Sequence, residues 1–347
     1  MRKYVILLLL ILCLSGAAVA ADSKPPSTDG ERVTKLADEY VAEYLRRFPD
    51  NAILAGMEPP KLDHLTDNSP KAIAEWQGLE DGWWKSLGEI NADGLYGKQE
   101  WITHGFLREA LETSRGLRVC RNEIWHVSQL DGWQVIISIL AAAVPVETPE
   151  QRADILAMFG SLPEYAKTEI ANLETGLAAG YSSPRHNVEL VIKQLDGLID
   201  VPIAKSPLRS PAERAKDAAF QKKWEALLSD NVVPALRTYR TYLQEKYLPR
   251  ARTTIGVSAL PNGAACYAAS LRSYTGLTVT PQEMFENGQR AVAEHEKLAH
   301  ELAQKVYGSP DLTTLREKLE KDASNHFQTR EQVLAYSQAA VDRSMAA

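Results

Sequence analysis

The stretch Val33-Thr-Lys-Leu36-Ala37-Asp-Glu-Tyr40-Val41-Ala-Glu-Tyr44-Leu45-Arg-Arg-Phe48 repeats apolar residues at i, i+3, i+4 and i+7 and stops at Pro49. That spacing puts every large apolar side chain on one side of a 3.6-residue turn, so it predicts an amphipathic helix ended by the proline. Further along, Thr148-Pro-Glu-Gln151, Ser210-Pro-Ala-Glu213, Thr280-Pro-Gln-Glu283 and Thr329-Arg-Glu-Gln332 each read as a capping box. In such a box a hydroxyl accepts the N3 amide hydrogen while Glu or Gln reaches back to the cap amide. Proline at the first helical position of three of them fits its fixed φ and its missing N–H. Additional helices are expected over 70–90, 100–114, 184–198, 216–247 and 312–323. The only strand-like piece is Thr253-Thr-Ile-Gly-Val-Ser-Ala-Leu260, which is β-branched and runs into a Pro-Asn-Gly turn. The expectation is an all-α fold, a large multi-helix domain with one short extended segment near 253–260.

The N-terminus has its own logic. Met1-Arg-Lys precedes an apolar run from Tyr4 to Leu14 and then Ala18-Val-Ala20. This is the pattern of a secretory signal peptide: a basic start, a short apolar region and an A-x-A cleavage site. A membrane span needs about 20 apolar residues, more than this run supplies. Leu12 stands before Cys13 where a lipoprotein signal wants Gly or Ala, which argues against a lipid anchor there. The expected organisation is a signal over 1–20, a disordered leader over 21–30 and one helical region over 31–347. The protein would then be exported, periplasmic or extracellular, with no membrane association after cleavage.

The net charge of −6 becomes −8 once Arg2 and Lys3 leave with the signal. An acidic chain without a basic cluster does not point to nucleic acid. Cleavage also leaves Cys120 and Cys266 as the remaining cysteines. An even pair in an oxidising compartment points to a bridge between them, the alternative being two buried thiols.

Several clusters invite a chemical reading. His295-Glu-Lys-Leu-Ala-His300 resembles a zinc helix, but its histidines stand at i, i+5. Two rings that share a metal need i, i+4, and at about 100° per residue these diverge by roughly 140°. The stripe Met284, Gly288, Val292, His295, Ala299, Leu302, Val306 accounts for His295 as a core-facing polar residue, so no metal site is assigned. Trp125-His126-Val-Ser-Gln129-Leu-Asp131-Gly-Trp133 mixes aromatic and polar side chains, as the wall of a substrate cleft does. The plainer reading is a core with satisfied polar partners. Ser182-Ser-Pro184-Arg185-His186 reads as a capped helix start, where an anion would also be at home. No nucleophile elbow, phosphate loop or Cys-x-x-Cys pair occurs.

Three blocks together carry a family resemblance. They are Arg118-Val-Cys-Arg-Asn-Glu-Ile-Trp125 with Gly132-Trp133; Leu173 to Gly180 with Pro184-Arg185; and Tyr247-Leu-Pro-Arg-Ala-Arg252 with Leu260-Pro-Asn-Gly263, Cys266-Tyr267 and Thr280-Pro-Gln-Glu283. With these the chain resembles domain-of-unknown-function family 885, exported bacterial proteins that look like zinc metallopeptidases of the gluzincin type. The resemblance implies peptide-bond hydrolysis by a zinc-activated water with a glutamate as general base. It also implies a zinc motif of the form H-E-x-x-P-G-H-H, lying beyond the equivalent of Ala347 and without a match here. On this reading the chain is the N-terminal part of an exported peptidase-like hydrolase. It would be catalytically incomplete, bind no cofactor alone and belong to a family whose full-length members take zinc.

The residues expected to line the cleft are Asn262, Gly263 and Tyr267, with Gln129 and Trp133 as further candidates, and a peptide is the expected substrate or ligand. The segment 253–260 is the expected edge for an extended peptide. The competing expectation is a non-catalytic exported helical protein that binds a peptide or protein partner.

Overall fold

The computed structural model describes residues 28–346. The expected signal at 1–20 and most of the leader at 21–30 therefore lie outside the described residues. Fifteen α-helices are present among the described residues: α1 Asp29–Arg47, α2 Pro49–Leu54, α3 Pro70–Gly88, α4 Gln99–Leu117, α5 Trp133–Ala143, α6 Pro149–Gly160, α7 Leu162–Ala178, α8 Arg185–Ile199, α9 Ser210–Ala215, α10 Ala218–Leu227, α11 Val233–Tyr242, α12 Gly263–Thr275, α13 Pro281–Tyr307, α14 Leu312–Lys321 and α15 Arg330–Ala346. The fold is all-α. The chain divides into two compact units, Met1–Pro261 and Asn262–Ala347.

The caps explain many of the boundaries. Thr148 and Thr280 form the full reciprocal boxes expected of them. An additional box at Thr28 and Glu31 starts α1 at Asp29, two residues inside the stretch expected as leader. Thr329 makes half a box: its hydroxyl accepts the Gln332 amide hydrogen at 3.3 Å, but the Gln332 side chain turns to the Gln328 amide at 2.7 Å. Ser210 is no cap at all. It is already helical, at φ −45° and ψ −43°, because a short 3-10 turn over Pro207–Arg209 leads directly into α9. Ser206 caps that earlier turn instead, with its hydroxyl on the Leu208 amide.

In the first unit, α1, α3 and α4 enclose Val33, Trp83, Leu87, Ile90, Leu95, Leu107 and Leu111. A larger core gathers α2 and α5 to α11 around Ile137, Leu140, Phe159, Leu195, Trp224 and Leu236. The expected helix over 216–247 runs from Ala218 to Tyr247, but two wide π turns interrupt it, at Leu228–Val232 and Leu243–Tyr247. Each is closed by an i→i−5 bond, from Val233 N–H to Leu228 O and from Leu248 N–H to Leu243 O. Pro234 and Pro249 follow directly. A proline ring inside an α-helix strikes the carbonyl four residues back, and a widened turn gives that carbonyl room. The extra residue stretches the inner face, so buried Trp224, Leu228, Val232 and Leu236 recur at every fourth position.

Thr253–Leu260 is non-helical at its start but is not a strand. Val257–Ala259 is a 3-10 turn, and the one bridge nearby pairs Arg252 with Pro184. Strand formation needs a neighbouring edge, and here a side chain takes its place. Arg252 donates to Thr254 O at 3.0 Å and to Ile255 O at 3.4 Å.

The second unit, α12 to α15, has little core of its own: among its described residues only Gly263, Cys266 and Ala303 are buried. The apolar stripe of α13 forms as a helix face but is not covered. Phe285, Val292, Leu302 and Val306 are 49–64% exposed, and His295, expected to face a core, is exposed as well.

Candidate functional site

Residues of the first and third blocks of the resemblance meet Ser182 and Ser183, which lie next to the second block in sequence, in one buried hydrogen-bonded junction of the first unit. Ser183, just before α8, donates its hydroxyl to Trp125 O at 2.7 Å and accepts the Val127 amide hydrogen at 2.9 Å. Tyr247 closes the same ring of bonds, donating to Trp125 O at 3.0 Å and accepting from Ser183 N–H at 2.8 Å. Burial pushes its phenol up to about 12. Trp125 in turn donates its indole N–H to Cys120 O at 2.8 Å. The Arg252 guanidinium lies 5.3 Å from the Trp125 ring centre and donates to Ser182 O. Every polar group in this junction serves another, so it fixes the chain segments around it.

Beside it in sequence lies a polar and aromatic cluster. The Trp133 ring, at the start of α5, packs 5.7 Å from Tyr165 of α7 and 5.0 Å from Tyr239 of α11, between ring centres. Asn68 donates to Glu169 Oε1 at 2.9 Å and to Tyr165 Oη at 3.2 Å. Asn172 holds Asn68 by donating to its backbone carbonyl at 2.8 Å. Burial raises the Glu169 carboxyl above the usual glutamate range, against the lowering pull of Asn68, His126 and Tyr165. Burial, and next the charge of Glu169, lift the Tyr165 and Tyr239 phenols well above theirs. The cluster thus combines a readily protonated carboxyl with phenols that keep their protons, a set suited to hydrogen-bonding uncharged amide groups.

Gln129 and Trp133 belong to this neighbourhood by sequence: Gln129 sits in the turn that leads to α5. Its backbone carbonyl accepts from Gln194 at 2.9 Å, while its side-chain Oε1 is buried without a partner. His126 Nε2 lies 3.0 Å from Asp131 Oδ1. Burial works against the Asp131 charge, yet Ser128 and His126 hold its carboxyl below the usual range.

Asn262, Gly263 and Tyr267 belong to the second unit. Asn262 stands at the N-cap of α12 with φ +56°, Gly263 is the buried first helical residue and Tyr267 is 45% exposed. Cys120 and Cys266 are both disulfide-bonded.

Sequence reading passed over Asn68, Tyr165, Glu169 and Asn172. A signal was available for three of them: on α7 the positions 165, 169 and 172 fall on the same face as buried Leu162, Ala166, Leu173 and Leu177. A glutamate and an asparagine on an apolar face need partners or a purpose.

The described residues contain no group of three or more His, Cys, Asp or Glu able to hold a metal ion. The zinc implied by the resemblance therefore has no ligand set among them. No helix of the described residues is long and apolar enough to cross a membrane.

A family model described as "Bacterial protein of unknown function (DUF885)" matches residues 49–347. This chain belongs to the DUF885 family. No curated protein matches the DUF885 chain. Among solved structures, its fold is similar to the crystal structure of a protein described as a putative lipoprotein from Colwellia psychrerythraea, with a TM-score of 0.77 at 15% identity. The match covers 92% of the DUF885 chain and 59% of the Colwellia chain, so this chain spans less than two thirds of that protein's length.

Proposed function

We propose that this DUF885 chain is the peptide-binding N-terminal part of an exported, peptidase-like hydrolase. Bond cleavage would belong to zinc ligands outside the residues described here, and no catalytic step is assigned to this chain. The observation that carries the binding role is the exposed, non-helical segment Thr253–Gly256, which bends at Thr253 and Gly256 beside Arg252. Arg252 occupies the carbonyls of Thr254 and Ile255, leaving the segment's amide hydrogens to offer to an incoming strand. Strand addition gives affinity through backbone bonds, and Ile255, 85% exposed, supplies an apolar contact.

Hydrogen exchange at 253–256 tests this reading. Slower exchange of these amides in the presence of excess unstructured peptide is the expected result. Unchanged exchange at saturating peptide overturns the edge as the binding element.

A further inference from the structure

We infer that a second cleft of the first unit, between α3, α7 and the turn Arg118–Ile124, is a binding site for a small carboxylate-bearing amide such as an N-acylated dipeptide. It extends the peptide-binding reading with a site of its own and does not need the edge at 253–256. The cleft has a volume of about 350 Å³, at the lower end of the range of ligand pockets. Its polar lining is supplied by Gln77, Arg118, Arg121, Glu123, Asn172 and Thr175.

Its walls are fixed. Gly176 of α7 packs so closely on the turn that a Cβ there would lie 1.8 Å from Ile124 O. Arg118 is clamped by Asp81 at 2.9 Å, Glu80 at 2.8 Å and Gln77 O at 3.1 Å. Arg121 sits in the left-handed region at φ +50°, a conformation that disfavours any residue with a Cβ. Strain of this sort persists where the surroundings impose it, and it is concentrated at binding sites.

Two features ask for a ligand. Asn172 is 3% exposed and spends its amide N–H on Asn68 O, while its Oδ1 accepts no hydrogen bond among the described residues. Asn172 lines the cleft, and that oxygen is an acceptor suited to an amide N–H. The Arg121 Nε is bound to Glu123 at 2.7 Å, and its terminal nitrogens make no hydrogen bond among the described residues. Arg118 is paired with Glu80 and Asp81, though its Nε is buried without a partner, and Arg121, half exposed, is paired through Nε with Glu123; the Arg121 terminal nitrogens are the donors that can take a carboxylate in a two-pronged contact.

The test is calorimetric titration of the whole chain with N-acetyl-Ala-Ala carrying either a free carboxylate or a C-terminal amide. The free acid should bind at least tenfold more tightly than the amide. Arg121→Gly should remove that preference while leaving the melting temperature equal or higher, because glycine accepts the left-handed backbone. Equal affinity for the two probes, or an unchanged preference in Arg121→Gly, overturns the assignment, as does absence of binding by either. A peptide that slows exchange at 253–256 yet titrates identically in Arg121→Gly would keep the edge reading and reject this cleft, so the two fail separately.

Discussion

At the scale of single residues, the buried charges matter most. The Glu80 side chain is 2% exposed and takes hydrogen bonds from Trp76 at 2.9 Å and Arg118 at 2.8 Å. Removing the cation strands a carboxylate in the protein interior, and breaking a buried pair in this way typically destabilises by about 3–5 kcal/mol. We expect Arg118→Ala to lose that amount in urea unfolding. A loss below about 1 kcal/mol would mean that the pair behaves as a surface contact.

Glu169 gives a pH signature. Its folded carboxyl is raised above the ordinary glutamate value, chiefly by burial. The unfolded state then releases its proton first as pH rises, from about 4.3 upward. The stabilisation present below that pH is lost as pH climbs through the raised folded value. Glu169→Gln keeps an acceptor for Asn68 and removes the titration. We expect the variant to match the parent near pH 3.5 and to melt at a higher temperature at pH 7; a lower melting temperature at pH 7 would contradict the buried carboxyl.

At the scale of elements, close approach decides as much as propensity. α7 presses on the turn after α4 through Gly176, with the Ile124 carbonyl where a side chain would begin. Gly176→Ala improves intrinsic helix propensity by up to about 1 kcal/mol, so on local grounds it should stabilise. Contact with a backbone oxygen reverses the sign, and we expect net destabilisation, read as a lower urea midpoint. Stabilisation would show that the turn yields easily. Elsewhere the element reading was largely open to sequence. α1, α3, α4 and α8 lie within a few residues of the spans marked by apolar spacing and proline. Ser210 was misread because its hydroxyl and Glu213 fit a box, whereas the preceding 3-10 turn had already set the helix direction.

At the scale of the molecule, the second unit has little core of its own among its described residues. α13 keeps a seam of Phe285, Val292, Leu302 and Val306 in solvent, and exposed apolar surface of this kind promotes association. We expect the chain to self-associate with rising concentration in sedimentation velocity. Val292→Glu combined with Leu302→Glu should reduce that association and leave the helical signal of the first unit intact. An ideal monomer at every concentration would show that the seam is inert.

The sequence by itself determined the helical class, many of the helix boundaries and the family, because helix periodicity, proline positions and caps are local and act within a few residues. Only the tertiary structure brought Trp125, Ser183, Tyr247 and Arg252 into one junction, and placed Glu169 and Asn68 in hydrogen-bonding range. It alone split the strand-like 253–260 segment into an exposed stretch at 253–256 held by Arg252 and a 3-10 turn over Val257–Ala259. Those outcomes depend on groups far apart in the chain meeting in a low-dielectric interior, where an unpaired carbonyl or carboxylate must find whatever donor the packing supplies.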